Sequence, residues 1–221
     1  DEILMIEFES LTEFLRTRAQ EYEMAERWPA EALAQFAQRG GWSWGVNVTH
    51  GGAQRSTVER LGGYIALARG DMSTALFVTQ HEGAVDLIQQ CENDALKDTW
   101  LPRYATGEAL TSIGYSQLTT SRQGGAPAMR AQILGGEIQL DGVMPWVTGA
   151  PYIKNVACGA ALDDGTQLLV LLPMDAAGIS IEKALPLAAL NSTFTCEVRC
   201  DAVMVDASEI IAGPVHKVLS E

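Results

Sequence analysis

The spacing of apolar residues changes near Gly107, and this change limits the folds open to the chain more than any other feature. Before it, apolar residues recur every three or four positions, as in a helix that buries one face. After it, short alternating runs are separated by glycine-containing turns. Helices followed by strands favour an α+β fold with segregated elements over alternating β–α units. We therefore expect an all-helical domain over residues 1–107 and an antiparallel, barrel-like β domain over residues 108–214.

Five helices are predicted before Gly107, each from a local start or stop signal. The second begins at Pro29, whose missing N–H costs nothing in a first turn. The third covers about residues 57–69, and the fifth is expected to break at Pro102. The capping candidates are Asp71 or Ser73 for the fourth helix and Asn93 or Asp94 for the fifth. The apolar face of the first helix consists of Leu4, Phe8, Leu11, Leu15, Ala19 and Tyr22.

Strand signals dominate after Gly107. Gly135 and Gly136 separate two alternating runs and indicate a two-residue hairpin turn. Asp163, Asp164 and Gly165 indicate a second hairpin. Further strands are expected over residues 110–118, 179–183, 194–199 and 202–205.

Composition excludes several kinds of partner. The formal net charge is -13, from 15 basic and 28 acidic residues, so duplex nucleic acid is not expected to bind. No signal peptide is recognisable in these residues, and no apolar run approaches the ~20 residues of a membrane helix. A cytoplasmic protein without a membrane partner is predicted. Four cysteines lack the paired spacing of zinc ligands, so we expect buried, reduced thiols and no metal: Cys91, Cys158, Cys196 and Cys200.

Six short stretches carry an ordered set of motifs. They are Trp28-Pro29 with residues 36–42, His50-Gly51-Gly52, residues 71–75, residues 97–108, residues 140–142 with 146–148, and residues 201–205 with 211–213. In this order they resemble segments of the acyl-CoA dehydrogenases and their flavin-dependent relatives. The stretches cover nearly the whole chain, which makes the resemblance specific for the superfamily but not for a substrate.

The resemblance implies an FAD site on the β domain. In the family, a tryptophan and a threonine of one strand lie beside the isoalloxazine ring, and they correspond to Trp146 and Thr148. An aromatic face packs on a planar ring, and a hydroxyl can hydrogen-bond flavin N5. In the second flavin segment, Gln117 and Gln123 replace a threonine and a serine of the family pattern. An amide also donates and accepts, so Ser116 and Gln117 are expected at the pyrimidine edge.

The resemblance also implies an acyl-CoA-type substrate. Gln80 lies in the helix that lines the acyl pocket in the family, and Gln123 lies in the second flavin segment. Arg122 adds a cation that can meet a phosphate or carboxylate. An ordinary polar loop is the alternative interpretation of residues 117–124. The three histidines are expected to be structural rather than catalytic.

The family reaction, part of fatty acid metabolism, desaturates an acyl thioester. A carboxylate removes the α-proton while the β-hydrogen passes as hydride to flavin N5. In the family that base usually lies in a C-terminal helical domain, whose start corresponds to residues 215–221, so no catalytic residue is assigned here. Three alternatives stay open: a trimmed enzyme, an enzyme completed by a separate polypeptide, and a non-catalytic subunit. Homo- or hetero-oligomers with acyl-CoA dehydrogenase-like subunits are expected.

Overall fold

Helices form the first part of the chain in the computed structural model, which describes residues 9–119 and 127–220. The helices are α1 (Glu9–Met24), α2 (Ala30–Gln38), α3 (Thr57–Gly70), α4 (Met72–Gln90) and α5 (Asp94–Thr106). Two 3-10 turns, Gly41–Ser43 and Val48–His50, connect α2 to α3. Leu11, Leu15 and Tyr22 are fully buried, which confirms the apolar face of α1 over its described part. Leu4 and Phe8 lie outside the described residues.

Side-chain caps decide where α4 and α5 begin. The Asp71 carboxylate accepts the backbone N–H groups of Ser73 and Thr74 at 3.3 and 2.9 Å, so Asp71 rather than Ser73 caps α4. Asn93 accepts the N–H of Leu96 at 3.1 Å and caps α5. Both helices therefore start at a signal that the sequence carries locally.

Pro102 does not break α5, contrary to the expectation from sequence. The helix continues to Thr106 and ends at Gly107, which has a φ of 73°. Pro102 lies on the exposed face of the helix. The carbonyl that loses its N–H partner there faces solvent, so water can hydrogen-bond it. Leu101 and Tyr104 are fully buried on the other face, and their packing holds the helix through the proline.

The second part of the chain is one mostly antiparallel sheet. Its strands are β1 (Thr111–Gly114), β2 (Met129–Leu134), β3 (Glu137–Val147), β4 (Asn155–Ala161), β5 (Gln167–Pro173), β6 (Ile179–Ile181), β7 (Cys196–Asp206) and β8 (Ile210–Val215). The order is β6-β7-β3-β2-β4-β5-β8, and β1 pairs with β4 in parallel. The β2–β3 and β4–β5 hairpins are antiparallel as predicted. The α+β fold with helices first and a mostly antiparallel sheet second is confirmed.

Two strand boundaries differ from the prediction. The strand expected over residues 110–118 ends at Gly114, and Ser116–Thr119 form a short helix, α6. The strands expected over residues 194–199 and 202–205 are one continuous strand, β7. A bulge at Ala202, which has a φ of 48°, interrupts the alternation of buried and exposed residues within β7. In the sequence this interruption resembles the end of a strand.

The helices pack directly on the sheet. The central helix α4 lies along β1, and the ring of His81 accepts the backbone N–H of Thr111 at 3.2 Å. One hydrophobic core includes side chains from α1–α4 and from most of the strands. The change from helix to strand falls between Thr106 and Thr111. The division into domains at residue 107 stays a prediction, and residues 216–219 form a turn.

Candidate functional site

Trp146 faces outward because β3 contains an extra residue. Met144 and Val147 are three residues apart on β3, yet their partners on β7 are only two apart. This bulge reverses the alternation of the strand, so Met144 and Val147 are fully buried while Trp146 is 51% exposed. Pro145 lies inside the bulge, where its missing N–H costs no ladder bond. The structure thus presents the indole ring on the outer side of the strand.

Thr148 follows β3 immediately, and its hydroxyl is buried. Its Oγ1 lies 3.4 Å from Oγ1 of Thr195, the residue that precedes β7. The next residue, Gly149, has a φ of 72° and lies against the ring of Phe77, which a Cβ at that position would strike. The Gly149 N–H donates to the carbonyl of Thr193 at 2.9 Å. The turn is therefore fixed from both sides, and so is the hydroxyl of Thr148.

Ser116 and Gln117 lie on α6, which contacts both β3 and β4. The Gln117 amide nitrogen donates to the carbonyls of Gly114 and Gly159 at 2.8 and 2.7 Å. The amide oxygen is buried and has no hydrogen-bond partner among the described residues. An acceptor held this firmly and left without a donor suits a ligand that carries an N–H group.

Gln80 lies on the face of α4 that points toward β1 and the turn after Thr148. It is half-buried, between Phe77, which touches that turn, and Gly83, which faces β1. Residues three apart are neighbours on a helix surface, so Gln80 is brought to the same side of the sheet as Thr148. Arg122 and Gln123 lie outside the described residues, and their roles stay predictions.

Two adjacent residues of α4 bury ionisable groups outside this site. Burial lowers the pKa of His81 to about 4, so the imidazole is neutral at pH 7. The next residue, Glu82, faces α3, where its carboxylate accepts a bond of 3.1 Å from Arg60. Burial nevertheless raises the pKa of Glu82 to about 7. Both groups are buried in the helical part of the molecule, and the non-catalytic role expected for the histidines stays a prediction.

Glu82 and His81 should give opposite pH dependences of stability. Between pH 4.5 and about 7, Glu82 holds a proton in the folded state that it releases in the unfolded chain. Its contribution to the unfolding free energy is therefore lost as pH rises. Between pH 6.5 and about 4, His81 is neutral in the folded state but binds a proton in the unfolded chain. Its contribution to the unfolding free energy is therefore lost as pH falls. Between pH 4.5 and 6.5 both groups titrate, and their opposite effects on the unfolding free energy cancel.

Single substitutions should uncover each slope. Glu82→Gln should make the unfolding free energy rise from pH 4.5 to 6.5, and His81→Gln should make it fall, each by about 2 kcal/mol relative to wild type. Urea denaturation across this range measures both differences. Profiles of the two variants that run parallel to wild type would contradict the assignment.

Two clefts in the described structure lie away from the predicted residues. One, of about 560 Å³, is lined by residues 181–186, Pro151 and Phe194, and the other, of about 490 Å³, by residues 90–93 and 210–213. Neither is lined by the residues predicted for the flavin. Over residues 9–119 and 127–220 no group of side chains is arranged to hold a metal ion. The four cysteines are free and buried, as predicted. No helix in the same part of the chain is long and apolar enough to cross a membrane.

Comparison with known proteins points to the same family as the motifs. Residues 9–108, which contain α1–α5, match the family model of the acyl-CoA dehydrogenase N-terminal domain. This match supports an assignment to the acyl-CoA dehydrogenase family. The chain's resemblance to that family, seen first in six motifs, is confirmed.

One curated relative aligns with nearly the whole chain and another with about half of it. The YdbM homologue of Bacillus subtilis is 24% identical over 209 residues, which are 91% of this chain and 55% of YdbM. The (2S)-methylsuccinyl-CoA dehydrogenase of Cereibacter sphaeroides is 29% identical over 122 residues, 55% of this chain and 22% of that protein. At its longest match, the chain thus spans about half the length of a curated relative.

Solved structures share the fold at low identity. The glutaryl-CoA dehydrogenase of Mycobacterium smegmatis, in complex with FADH2, superposes with a TM-score of 0.85 at 22% identity, over 100% of this chain and 57% of its own. The butyryl-CoA dehydrogenase of Megasphaera elsdenii superposes with a TM-score of 0.87 at 15% identity, over 96% of this chain and 58% of its own. The likeness therefore extends through the sheet as well as the helices.

Sequence reasoning missed Thr193 and Thr195, which support the hydroxyl of Thr148. The contact of Thr195 with Thr148 depends on the pairing of β3 with β7, and 47 residues separate the two threonines. A local signal does exist, because Thr193 and Thr195 are two residues apart just before a strand. It indicates a shared face but not what that face meets.

Proposed function

We propose that this chain forms the flavin-binding part of an FAD-dependent oxidoreductase that desaturates an acyl thioester between its α and β carbons. The observation that carries the proposal is the exposed ring of Trp146 together with the buried hydroxyl of Thr148, at the end of the strand that α6 contacts. The bulge in β3 turns the indole ring outward and leaves the threonine hydroxyl buried at the end of the strand. These are the residue types and the spacing that the family resemblance assigns to the flavin.

The described residues fit an isoalloxazine ring. Trp146 offers an exposed aromatic face, and Thr148 offers a hydroxyl whose 3.4 Å contact is long enough to be exchanged for a ligand atom. Gln117 offers a buried amide oxygen that has no donor among the described residues, which suits the N–H of the pyrimidine edge, and Ser116 lies beside it. FAD, when bound, supplies the acceptor for the substrate hydride. With FAD bound, Trp146 would shield the N5 edge of the ring from water, and the Thr148 hydroxyl would orient that edge.

The proposed substrate is an acyl-CoA, with Gln80, Arg122 and Gln123 assigned to its contacts. The position of Gln80 on the sheet-facing side of α4 supports its assignment. Among the described residues, no carboxylate hydrogen-bonds Gln117 or Thr148. We therefore propose no residue of this chain as the base that removes the α-proton.

A flavin-dependent relative with another substrate is the second candidate. Gln117 departs from the family's flavin-binding threonine, and its amide nitrogen is occupied by two backbone carbonyls. Structures of similar fold include a nitrososynthase of Micromonospora carbonacea, with a TM-score of 0.79 at 22% identity over 96% of this chain and 56% of its own. A panel that contains acyl-CoAs and non-thioester substrates separates the two candidates.

An oligomer with acyl-CoA dehydrogenase-like subunits is also proposed. An apolar stripe on α3 supports it, because Val58, Leu61 and Ile65 are 67%, 55% and 48% exposed and lie on one helical face. Association with identical or homologous subunits would cover the stripe. A role in fatty acid metabolism and a place in the cytoplasm belong to the same proposal.

Substitution of Trp146 and Thr148 tests the flavin placement. In the native protein translated from its complete reading frame, Trp146→Ala and Thr148→Ala should each weaken FAD binding about 5-fold or more, since each removes roughly 1 kcal/mol of contact. FAD occupancy and the visible spectrum of the purified protein report the loss. Leu134→Ala is the matched control, because Leu134 is 47% exposed on the neighbouring strand β2. Wild-type occupancy and spectrum in both variants would refute the placement.

A further inference from the structure

A chain of three buried hydroxyls extends from Thr148 into the protein. Oγ1 of Thr148 lies 3.4 Å from Oγ1 of Thr195, which lies 2.9 Å from Oγ1 of Thr193. Thr193 donates to the carbonyl of Leu190 at 2.7 Å. The three threonines are at most 7% exposed, so water does not replace any of these bonds. The hydrogen positions in the chain are therefore set by the protein itself.

The number of protons fixes the direction of the chain. Each hydroxyl carries one proton, and Thr193 uses its proton on the Leu190 carbonyl, which can only accept. Thr193 must therefore accept from Thr195. Thr195, having given its proton to Thr193, has only lone pairs to offer Thr148. Thr148 can donate to Thr195 or keep its proton for another acceptor.

The far end of the chain is anchored to the helical part of the molecule. The carboxylate of Glu23, at the end of α1, accepts the backbone and side-chain N–H groups of Asn191 at 3.1 and 2.9 Å. These bonds hold the segment that carries Leu190 and Thr193. The acceptor offered to Thr148 is therefore fixed in position and in polarity.

We propose that Thr195 is a positioning residue that lets the Thr148 hydroxyl either donate to or accept from a bound flavin, according to the flavin's redox state. The inference rests on the proposed function. Oxidised flavin has a lone pair at N5, to which Thr148 donates, and Thr195 is then not needed. Two-electron reduction with uptake of a proton leaves an N–H at N5, from which Thr148 accepts. Thr148 then gives its own proton to Thr195, so Thr195 favours the reduced form.

Thr195→Val tests this role, because valine keeps the shape and removes the acceptor. In the native protein from its complete reading frame, the Kd of FAD should stay at the wild-type value. The Kd of FAD reduced with dithionite, which supplies the electrons while water supplies the proton, should rise about 3–10-fold through loss of one hydrogen bond. The midpoint potential of the bound flavin should fall accordingly. Thr195→Ser keeps a hydroxyl and should restore the wild-type ratio of the two Kd values.

The outcomes separate this inference from the proposed function. A native protein that binds no FAD, or a Thr148→Val variant that binds both redox forms as wild type does, overturns the proposed function and this inference with it. If Thr148→Val weakens binding but Thr195→Val leaves the ratio of the two Kd values unchanged, only the inference is overturned. An equal loss of affinity for both forms in Thr195→Val would mean a purely structural role and would also overturn it.

Discussion

The 221-residue chain, supplied with excess FAD, should leave a panel of acyl-CoAs undesaturated. Desaturation needs a base within hydrogen-bond reach of the α-carbon, and loss of a positioned base typically costs about 10²–10⁴ in rate. Among the described residues, the hydrogen bonds of Gln117 and Thr148 go to backbone carbonyls and a threonine hydroxyl, not to a carboxylate. The assay is anaerobic bleaching of the flavin absorbance. Saturating substrate should not rescue the reaction, because the loss falls on the chemical step.

The matched control restores the part of the family fold that the resemblance places after residue 215. Activity should return when the chain is extended to its complete reading frame or mixed with a homologous subunit that carries that domain. Rapid bleaching by the 221-residue chain alone would place the base within this sequence. The catalytic assignment would then be wrong, although the fold would be unaffected.

Arg60→Met should cost about 3 kcal/mol of unfolding free energy at pH 8, since it leaves the buried carboxylate of Glu82 without its cation. One guanidinium nitrogen of Arg60 lies 3.1 Å from Glu82 and 2.9 Å from both oxygens of Asp86. The side chain of Glu82 is only 2% exposed, so water cannot replace the lost bond. The loss should be smaller at pH 5, where Glu82, with its pKa raised to about 7, is protonated. Urea denaturation at the two pH values measures the difference.

A surface pair provides the comparison for Arg60. Arg16 and Glu13 also form an ion pair, at 2.8 Å, but their side chains are 55% and 63% exposed. Arg16→Met should therefore change the unfolding free energy by less than about 0.5 kcal/mol. The double variant Arg60→Met, Glu82→Gln should recover part of the lost stability, because it removes the buried charge. Equal losses for Arg60→Met and Arg16→Met would show that burial of the pair is energetically unimportant.

Sequence alone determined the parts of the fold that depend on neighbouring residues. The sequence narrowed the caps to Asp71 or Ser73 and to Asn93 or Asp94, and it placed the hairpin turn at Gly135 and Gly136, because these signals act within a few positions. The period of apolar residues fixed the order of helices and sheet for the same reason. Trp146 and Thr148 were also found in sequence, through a motif, and their assignment to a flavin stays a prediction.

Only the tertiary structure decided features that require two distant segments to meet. The bulge that turns Trp146 outward exists because β3 pairs with β7, and the same pairing brings Thr148 to Thr195. α5 continues through Pro102 because its buried face packs, which outweighs the local breaking signal. The pKa of Glu82 depends on burial against another helix rather than on its sequence neighbours. Local signals act through a few adjacent bonds, whereas register, burial and proton direction arise only when non-adjacent backbone and side chains share a space from which water is excluded.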